Sequence, residues 1–460
     1  MTKNLIKCLV CLLFISMFSG CATISGYKDT LNKFDYTLNS NKCDYEELEE
    51  KIKNNDNIIL WSIQAGSLAR NCKNYKKSIE FFDKAEKSYK EDVDKDTFLN
   101  NTIESTTSLL INNNSNDYEG NTYERIMVNT YKALDFVSLN DHENARVEFN
   151  RALDRQRRAK EYFKKEIKEL KNKLKNENKN NKDKNNINKL KVSKNKQTQD
   201  VIYKNYSNLL NNFKAYPDFV NPFTTYIAGI YFLLNDDSTK ARDLLKESMN
   251  MAPKNKQILS DYKLSNKYIT SLKKSKNNYA WIIYEGGKGL INDEIKIQIP
   301  LFLFTKKIFY TGIALPNLKE RDSSFKYLKV NNKKTSTICN MDNVIKTEFK
   351  KRFPMIVTQT VFSAVTKTIL QLQLNKQTGL IGGVTGAIYQ ALTNKADVRS
   401  WTALPKKFQS VRVQLSENPL KIKDDHGNLL RNIIIPKGKN ALIFVNSRTI
   451  KNIKVHQILF

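Results

Sequence analysis

Residues 133–158 read ALDFVSLNDHENARVEFNRALDRQRR, and their pattern occurs twice more: in AGSLARNCKNYKKSIEFFDKAEKSY at 65–89 and in AGIYFLLNDDSTKARDLLKESMNMAP at 228–253. Each copy has a small residue, a second small one twelve positions on, a bulky one four later and a small one three after that. The sets are Gly66, Ser78, Phe82 and Ala85; Ala133, Ala145, Phe149 and Ala152; and Gly229, Ala241, Leu245 and Ser248, with Pro253 five residues beyond. The turns between, KNY, NDH and DDS, suit a helix stop followed by a restart. Small residues on both helices let the two axes cross closely, and the bulky side chain fills the wedge beneath. The spacing therefore predicts three helical hairpins.

This arrangement resembles the tetratricopeptide repeat (TPR), and the third copy keeps the proline that ends the unit. The full motif places an aromatic near the start of the first helix; only the first copy has one close by, Trp61. The array is expected to span 46–275, behind a tether and entry helix at 21–45.

Two segments depart from the pattern. Residues 160–175 can prolong the preceding helix through Glu–Lys pairs at helical spacing. The Asn/Lys tract at about 176–195 has almost no apolar residues, so it is expected to be a disordered insertion. From about 278 the period becomes two. YAWIIYEGG, EIKIQIPLFLF and KIFYTGIALP read as strands, 343–376 as helix, and FQSVRVQL, NLLRNIIIP and KNALIFVN as strands set apart by DDHGN and PKGK, which are hairpin signals. GLIGGVTGAIYQALTN (379–394) reads as a tightly packed helix of a domain core. The expected fold class is α+β: an N-terminal TPR-like helical array, then a C-terminal domain (278–460) with an antiparallel sheet and packed helices.

The N-terminus has its own signature. Lys3 and Lys7 precede an apolar run of about ten residues ending in FSGC at 18–21. A membrane-spanning helix needs ~20 apolar residues, so the layout is that of a signal peptide (1–20). FSGC resembles the bacterial lipobox, with Phe18 where Leu is usual, and that resemblance implies a diacylglycerol on Cys21. Of the other cysteines beyond the signal, Cys43 and Cys72 flank a helical segment and are either a disulfide or two thiols; Cys339 is read as a free thiol.

The net charge of +30 comes from 77 Lys and Arg against 47 Asp and Glu. An exported chain does not meet nucleic acid, so none is expected as a partner. The spread of lysine among Asn and Ile reads as a solvated surface, with contact to anionic head groups or wall polymer as the functional alternative.

No catalytic constellation stands out. His142, His426 and His456 share no ligand spacing; EGGKGL lacks the spacing of a phosphate loop; no metal, cofactor or enzymatic activity is expected. SWTALP (400–405) reads as a packing corner in which Trp401 and Pro405 wedge helix against sheet and Arg399 pairs with an acid.

YERIMVNTYKALDFVSLNDHENARVEFNRALDRQRRA (123–159), NPFTTYIAGIYFLLNDD, YTGIALPNL and ADVRSWTALPKKFQSVRV (396–413), taken with the lipobox, resemble an uncharacterised family of bacterial envelope lipoproteins with TPR-like repeats. The resemblance implies an exported lipoprotein of Gram-negative bacteria and no catalytic residues, and Ala22 after the cysteine, where Asp does not stand, fits sorting to the outer membrane facing the periplasm. The expected function is a lipid-anchored scaffold or adaptor that binds another envelope protein through the concave face of the repeats. The alternative is binding of peptidoglycan or another anionic polymer.

Overall fold

The computed structural model describes residues 27–89, 117–180, 187–270, 278–378 and 395–460, apart from 28, 41, 218, 307 and 416–418. The signal peptide, Cys21 and the 379–394 stretch lie outside the described residues. The fold is α+β, about 54% helical and 20% strand.

The helices are α1 (29–39), α2 (Glu46–Lys53), α3 (Ile58–Asn71), α4 (Tyr75–Lys87), α5 (Thr122–Ser138), α6 (His142–Asn180), α7 (Lys189–Lys194), α8 (Lys196–Asn211), α9 (Pro222–Leu234), α10 (Ser238–Met251), α11 (Lys256–Thr270) and α12 (Met341–Thr378). The three hairpins are α3–α4, α5–α6 and α9–α10, and they share their turn down to single atoms. Lys73, Asn140 and Asp236 occupy equivalent positions, and all three are left-handed, with φ of 61°, 60° and 66°. The next residue of each copy sends its N–H back five positions, from Asn74 to the Ala69 carbonyl, Asp141 to Phe136 and Asp237 to Phe232, at 2.9 Å each. The same Asn74, Asp141 and Asp237 side chains then cap the second helix by accepting the N–H of Lys77, Asn144 and Lys240.

The small-residue crossings are tight. A β-carbon on Gly66 would lie 2.6 Å from the Phe82 ring, and one on Gly229 would lie 3.0 Å from Leu245. Ser78 Oγ lies 2.9 Å from the Gly66 carbonyl oxygen. Ala85, Ala133, Ala145, Phe149, Ala152, Ala241, Leu245 and Ser248 are all buried, while Pro253 is exposed in the turn that follows α10. Cys43 and Cys72 form a disulfide that ties the segment before α2 to the end of α3, and Cys339 is a buried thiol.

The strands are β1 (Tyr279–Gly286), β2 (Ile291–Pro300), β3 (Tyr310–Lys319), β4 (Lys329–Val330), β5 (Lys333–Lys334), β6 (Ser336–Asn340), β7 (Lys407–Gln414), β8 (Leu420–Lys423), β9 (Leu429–Ile433), β10 (Ala441–Thr449) and β11 (Asn452–Leu459). They form a five-stranded sheet β11-β10-β1-β7-β6, a four-stranded sheet β5-β4-β8-β9 and the β2–β3 hairpin. Pairing is antiparallel except between β1 and β10, which run parallel at the centre of the larger sheet. DDHGN is a turn between paired strands β8 and β9, but PKGK is not a hairpin turn: β9 and β10 belong to different sheets.

Strand alternation places two cores on the two faces of the large sheet. Trp281, Ile283, Phe408, Leu442 and Phe444 face the helices. Ala280, Ile282, Tyr284, Val411, Ile443 and Val445 face the small sheet. The first of these cores runs without a break from Phe34 to Ile458, so the array and the sheet share one interior instead of each closing its own.

Two expectations need correction. The 176–195 tract is not a disordered insertion throughout: 176–180 continue α6, and 189–194 form α7, with Lys189, Val192 and Ser193 buried. Residues 181–186 lie outside the described residues. The tract orders because α12 supplies the apolar surface that its own composition lacks: Leu174 packs on Phe362, and the Lys189 ammonium sits 5.4 Å from the centre of the Phe362 ring. The second correction concerns the inner face of the repeats. Helices α3, α5 and α9 are buried along nearly their whole length. The chain's own sheet covers them: Phe223 stacks on Phe408 with ring centroids 3.7 Å apart, and the Tyr226 hydroxyl donates to Asp261 while lying 2.9 Å from the Ser410 hydroxyl.

Candidate functional site

The 399–405 segment forms the corner expected of it. Trp401 is buried against Phe82 and Tyr131, its Nε1 donates to Ser67 Oγ at 2.7 Å, and its backbone N–H donates to the buried Glu124 at 2.9 Å. Arg399 pairs with Asp397 at 2.8 Å and also reaches Asn57. The histidines are dispersed. His142 packs on Tyr231 and Phe460; His426 sits in the β8–β9 turn, where backbone N–H groups occupy the Asp424 carboxylate. Among the described residues no group of three His, Cys, Asp or Glu side chains could hold a metal ion.

His456 belongs to a different kind of place. Where the first hairpin meets strands β1, β10 and β11, a cavity of about 80 Å³ is lined by Arg70, Lys73, Tyr75, Tyr131, Glu285, Phe444, Arg448, Lys454 and His456, among others. It adjoins an outer depression lined by Lys73, Arg431, Ile434, His456 and Gln457. Lys73 and His456 border both, so the two make one groove.

Each wall follows from local structure. Arg70, at the end of α3, lies over the Tyr131 ring, with 4.8 Å from the guanidinium carbon to the ring centre, and pairs with the buried Asp135. Burial pushes the Asp135 carboxyl up to about 6, against the pull of Arg70 and of the Ser78 hydroxyl, which donates to it at 2.6 Å. Arg448 is held by Asp35 at 3.0 Å and by the Ala403 carbonyl at 2.9 Å; burial lowers it to about 10. Glu285, on β1, accepts from Asn446 through Oε2 at 2.9 Å, while its buried Oε1 has no hydrogen-bond partner. Burial raises its pKa, with Arg70 opposing.

The sign of the field is positive. Five cationic side chains line the groove (Arg70, Lys73, Arg431, Arg448 and Lys454), against Glu285 in its wall and Asp135 and Asp35 behind Arg70 and Arg448. Lys73, Arg431 and Lys454 have no ion-pair partner among the described residues. Burial, then Arg70 and Lys73, depress His456 to about 4; burial, then Lys73, lower Lys454. The His456 ring rests on Tyr75 and its Nε2 lies 3.1 Å from Ser138 Oγ.

Sequence reasoning saw His456 but not the groove, whose residues are scattered from 38 to 457. One signal was legible. In the left-handed turn position the other hairpins carry Asn140 and Asp236, residue types that tolerate positive φ, whereas the first carries Lys73. A lysine there costs roughly 1 kcal/mol, and an accepted strain of that kind points to use of the side chain.

Comparison with protein-family models, curated proteins and solved structures gives no significant match.

Proposed function

We propose that this chain is a lipid-anchored protein of the cell envelope that binds, without catalysis, an anionic ligand in the groove between its first helical hairpin and strands β9 and β11, the ligand class being an acidic wall polymer or polysaccharide. The observation that carries this reading is the set of three cations, Lys73, Arg431 and Lys454, that have no ion-pair partner among the described residues, beside a histidine whose pKa is held down by burial and then by the charge of Arg70 and Lys73. An anion placed there relieves that repulsion, and carboxylates spaced along a polymer could follow the groove outward.

The adaptor reading, in which the repeats grip another envelope protein, loses its inner face to the sheet and keeps only the outer sides of α4, α6 and α10. The two readings separate in one experiment. Purified chain is mixed with isolated, protein-free wall material and with polygalacturonate over a series of salt concentrations. Binding that weakens steadily with salt, and that the Arg431→Glu/Lys454→Glu variant loses, supports the groove. Retention unaffected by either would remove it and favour a protein client, identified by crosslinking in intact cells.

A further inference from the structure

The β2–β3 hairpin ends in a tip that the other described residues leave uncovered. Phe309 is 68% exposed, Tyr310 56%, Phe302 46% and Leu303 39%. They form one patch: the Phe302 N–H donates to the Phe309 carbonyl at 3.1 Å, and the Phe302 and Tyr310 rings meet edge to face at 5.8 Å. Lys306 is exposed in the same loop, and no Asp or Glu occurs from Ile295 to Lys319.

The fold gathers like material around this tip. Thr311 Oγ1 lies 2.9 Å from Thr368 Oγ1, which fastens the hairpin to the C-terminal half of α12. No acidic residue occurs from Phe349 to Thr378. Phe362, six residues earlier on α12 and so about 9 Å away along the axis, is where the Asn/Lys tract docks through Leu174 and Lys189. The end of α6 and the docked α7 present Lys171, Lys175, Lys191 and Lys194 to solvent. Exposed aromatics and a lysine-rich surface thus flank the same two turns of one helix.

We infer that this end of the molecule is a membrane-contact surface, with Phe302, Leu303, Phe309 and Tyr310 entering the head-group layer of a bilayer and the lysines resting on anionic lipid. Phe, Tyr and Leu beside Lys are the side chains that partition to that layer, and the lack of Asp and Glu from 295 to 319 and from 349 to 378 spares the hairpin tip and this half of α12 the repulsion that anionic lipid would impose. Chain length agrees, and this step rests on the lipid-anchor reading. Tyr27, six residues after Cys21, packs on Trp61, ring centres 5.8 Å apart. From that helix Gln64 donates to the Ser400 carbonyl, and Asn292, at the start of β2, donates to the Arg399 carbonyl. The anchor therefore enters near the base of the hairpin. Six residues span at most about 20 Å and β2 from Asn292 to Pro300 runs about 26 Å, so lipid and tip share one plane when the hairpin leans by about 40° or more from the membrane normal.

The test uses the mature chain with Cys21→Ser, so that the contact is read without the lipid. It is floated with phosphatidylcholine vesicles and with vesicles that also contain phosphatidylglycerol. Flotation with the anionic vesicles is expected, with about a tenfold or greater loss in Phe302→Ser/Phe309→Ser. Those positions are exposed, and an unchanged melting temperature verifies the fold. In Phe309→Trp the indole emission should shift to the blue on anionic vesicles and be quenched by brominated lipid. An unshifted indole, or equal flotation of the double variant, overturns the proposal. So does a dimer in sedimentation that the double variant dissociates, which would assign the patch to a second copy of the chain. Failure here leaves the acylation of Cys21 and the basic groove standing, since neither is read by this experiment.

Discussion

The indole of Trp401 is hydrogen-bonded to Ser67 across 2.7 Å, although 334 residues separate them in the chain. That bond fastens the segment entering β7 to the first helix of the array, and it recurs in kind along the seam: Gln64 donates to the Ser400 carbonyl, Trp281 and Tyr226 both donate to Asp261, and Arg412 pairs with Asp261 at 3.0 Å. The repeats and the sheet are one cooperative body.

The first prediction is a single unfolding transition. Trp401→Ala removes the large side chain at the junction and leaves Ser67 and the Glu124 carboxylate in an opened site, at a cost of roughly 3–5 kcal/mol. Helical and tryptophan signals should melt together in the wild type and move together in the variant. A fragment spanning 46–275 should be molten or insoluble, because the faces of α3, α5 and α9 lose their cover. Two separated transitions, or a well-folded fragment, would contradict the shared core.

The hairpin crossings give a graded test. A β-carbon on Gly66 collides with the Phe82 ring at 2.6 Å, whereas on Gly229 it meets Leu245 at 3.0 Å, and an aliphatic side chain gives way more easily than an aromatic one held by Tyr131 and Trp401. Both positions gain helix propensity; Gly66→Ala should still cost ~1–3 kcal/mol, and Gly229→Ala should cost less because Leu245 gives way. Ala241→Leu should resemble Gly66→Ala. Chemical denaturation measures all three, and a reversed order would sink the packing account.

What was legible in the sequence was what repeats or alternates. The small-residue spacing at Gly66, Ala133 and Gly229 disclosed three hairpins, and the period-two runs disclosed β1, β2, β3, β7, β9 and β10, because each pattern is local. Three things were not legible, for a common reason. The parallel β1–β10 pair joins residues about 160 apart, and strand alternation does not encode the neighbour. The ordering of α7 depends on Phe362, which its own composition cannot reveal. The cover on the inner face comes from strands whose apolar rows read equally well as the core of a separate domain. The groove is hidden in the same way, since Lys73, Arg431 and Lys454 acquire meaning only when the seam brings them together.

The docked tract supplies the third prediction. Val192 is fully buried against its neighbours, and Leu174 lies on Phe362. Val192→Asp should destabilise the arm by about 2–3 kcal/mol, the price of an unpaired charge in an apolar site. Limited trypsin digestion should then cut at Lys191 or Lys194 far faster than in the wild type. If the variant is digested at the wild-type rate and melts unchanged, α7 is not a packed element in solution.

His456 makes the groove sensitive to pH. Its folded pKa of about 4 lies below the usual 6.5, so the folded state disfavours the proton. The stability it contributes is complete above about 6.5 and is lost as pH falls towards 4. Asp135, raised to about 6, acts in the opposite direction, so the comparison is between wild type and His456→Gln, not between two pH values alone. The wild type should lose more stability than the variant between pH 7 and pH 5. Binding of polygalacturonate should run the other way: an anion beside His456 raises its pKa, so binding takes up a proton and tightens as pH falls. Calorimetry in buffers of different ionisation heat reads that proton directly, and zero uptake would place the polymer elsewhere.

The sharpest prediction sets stability against function at one residue. Lys73 holds a left-handed conformation, φ 61°, at the turn position where the other hairpins carry Asn140 and Asp236. Asparagine enters that region with less strain than lysine, so Lys73→Asn should stabilise the fold by ~0.5–1 kcal/mol. The Lys73 ammonium borders both parts of the groove and depresses His456 and Lys454, so the same change should let the His456 pKa rise and weaken binding of an acidic polymer. A more stable protein that binds less well is the expected outcome, with the histidine followed by NMR titration and the affinity by calorimetry. Lys73→Gly relieves the strain further still and removes the charge equally, so it should match Asn in binding while differing in stability. If Lys73→Asn binds polygalacturonate as tightly as the wild type, the lysine serves the turn alone, and the groove loses the residue that most directly argues for its use.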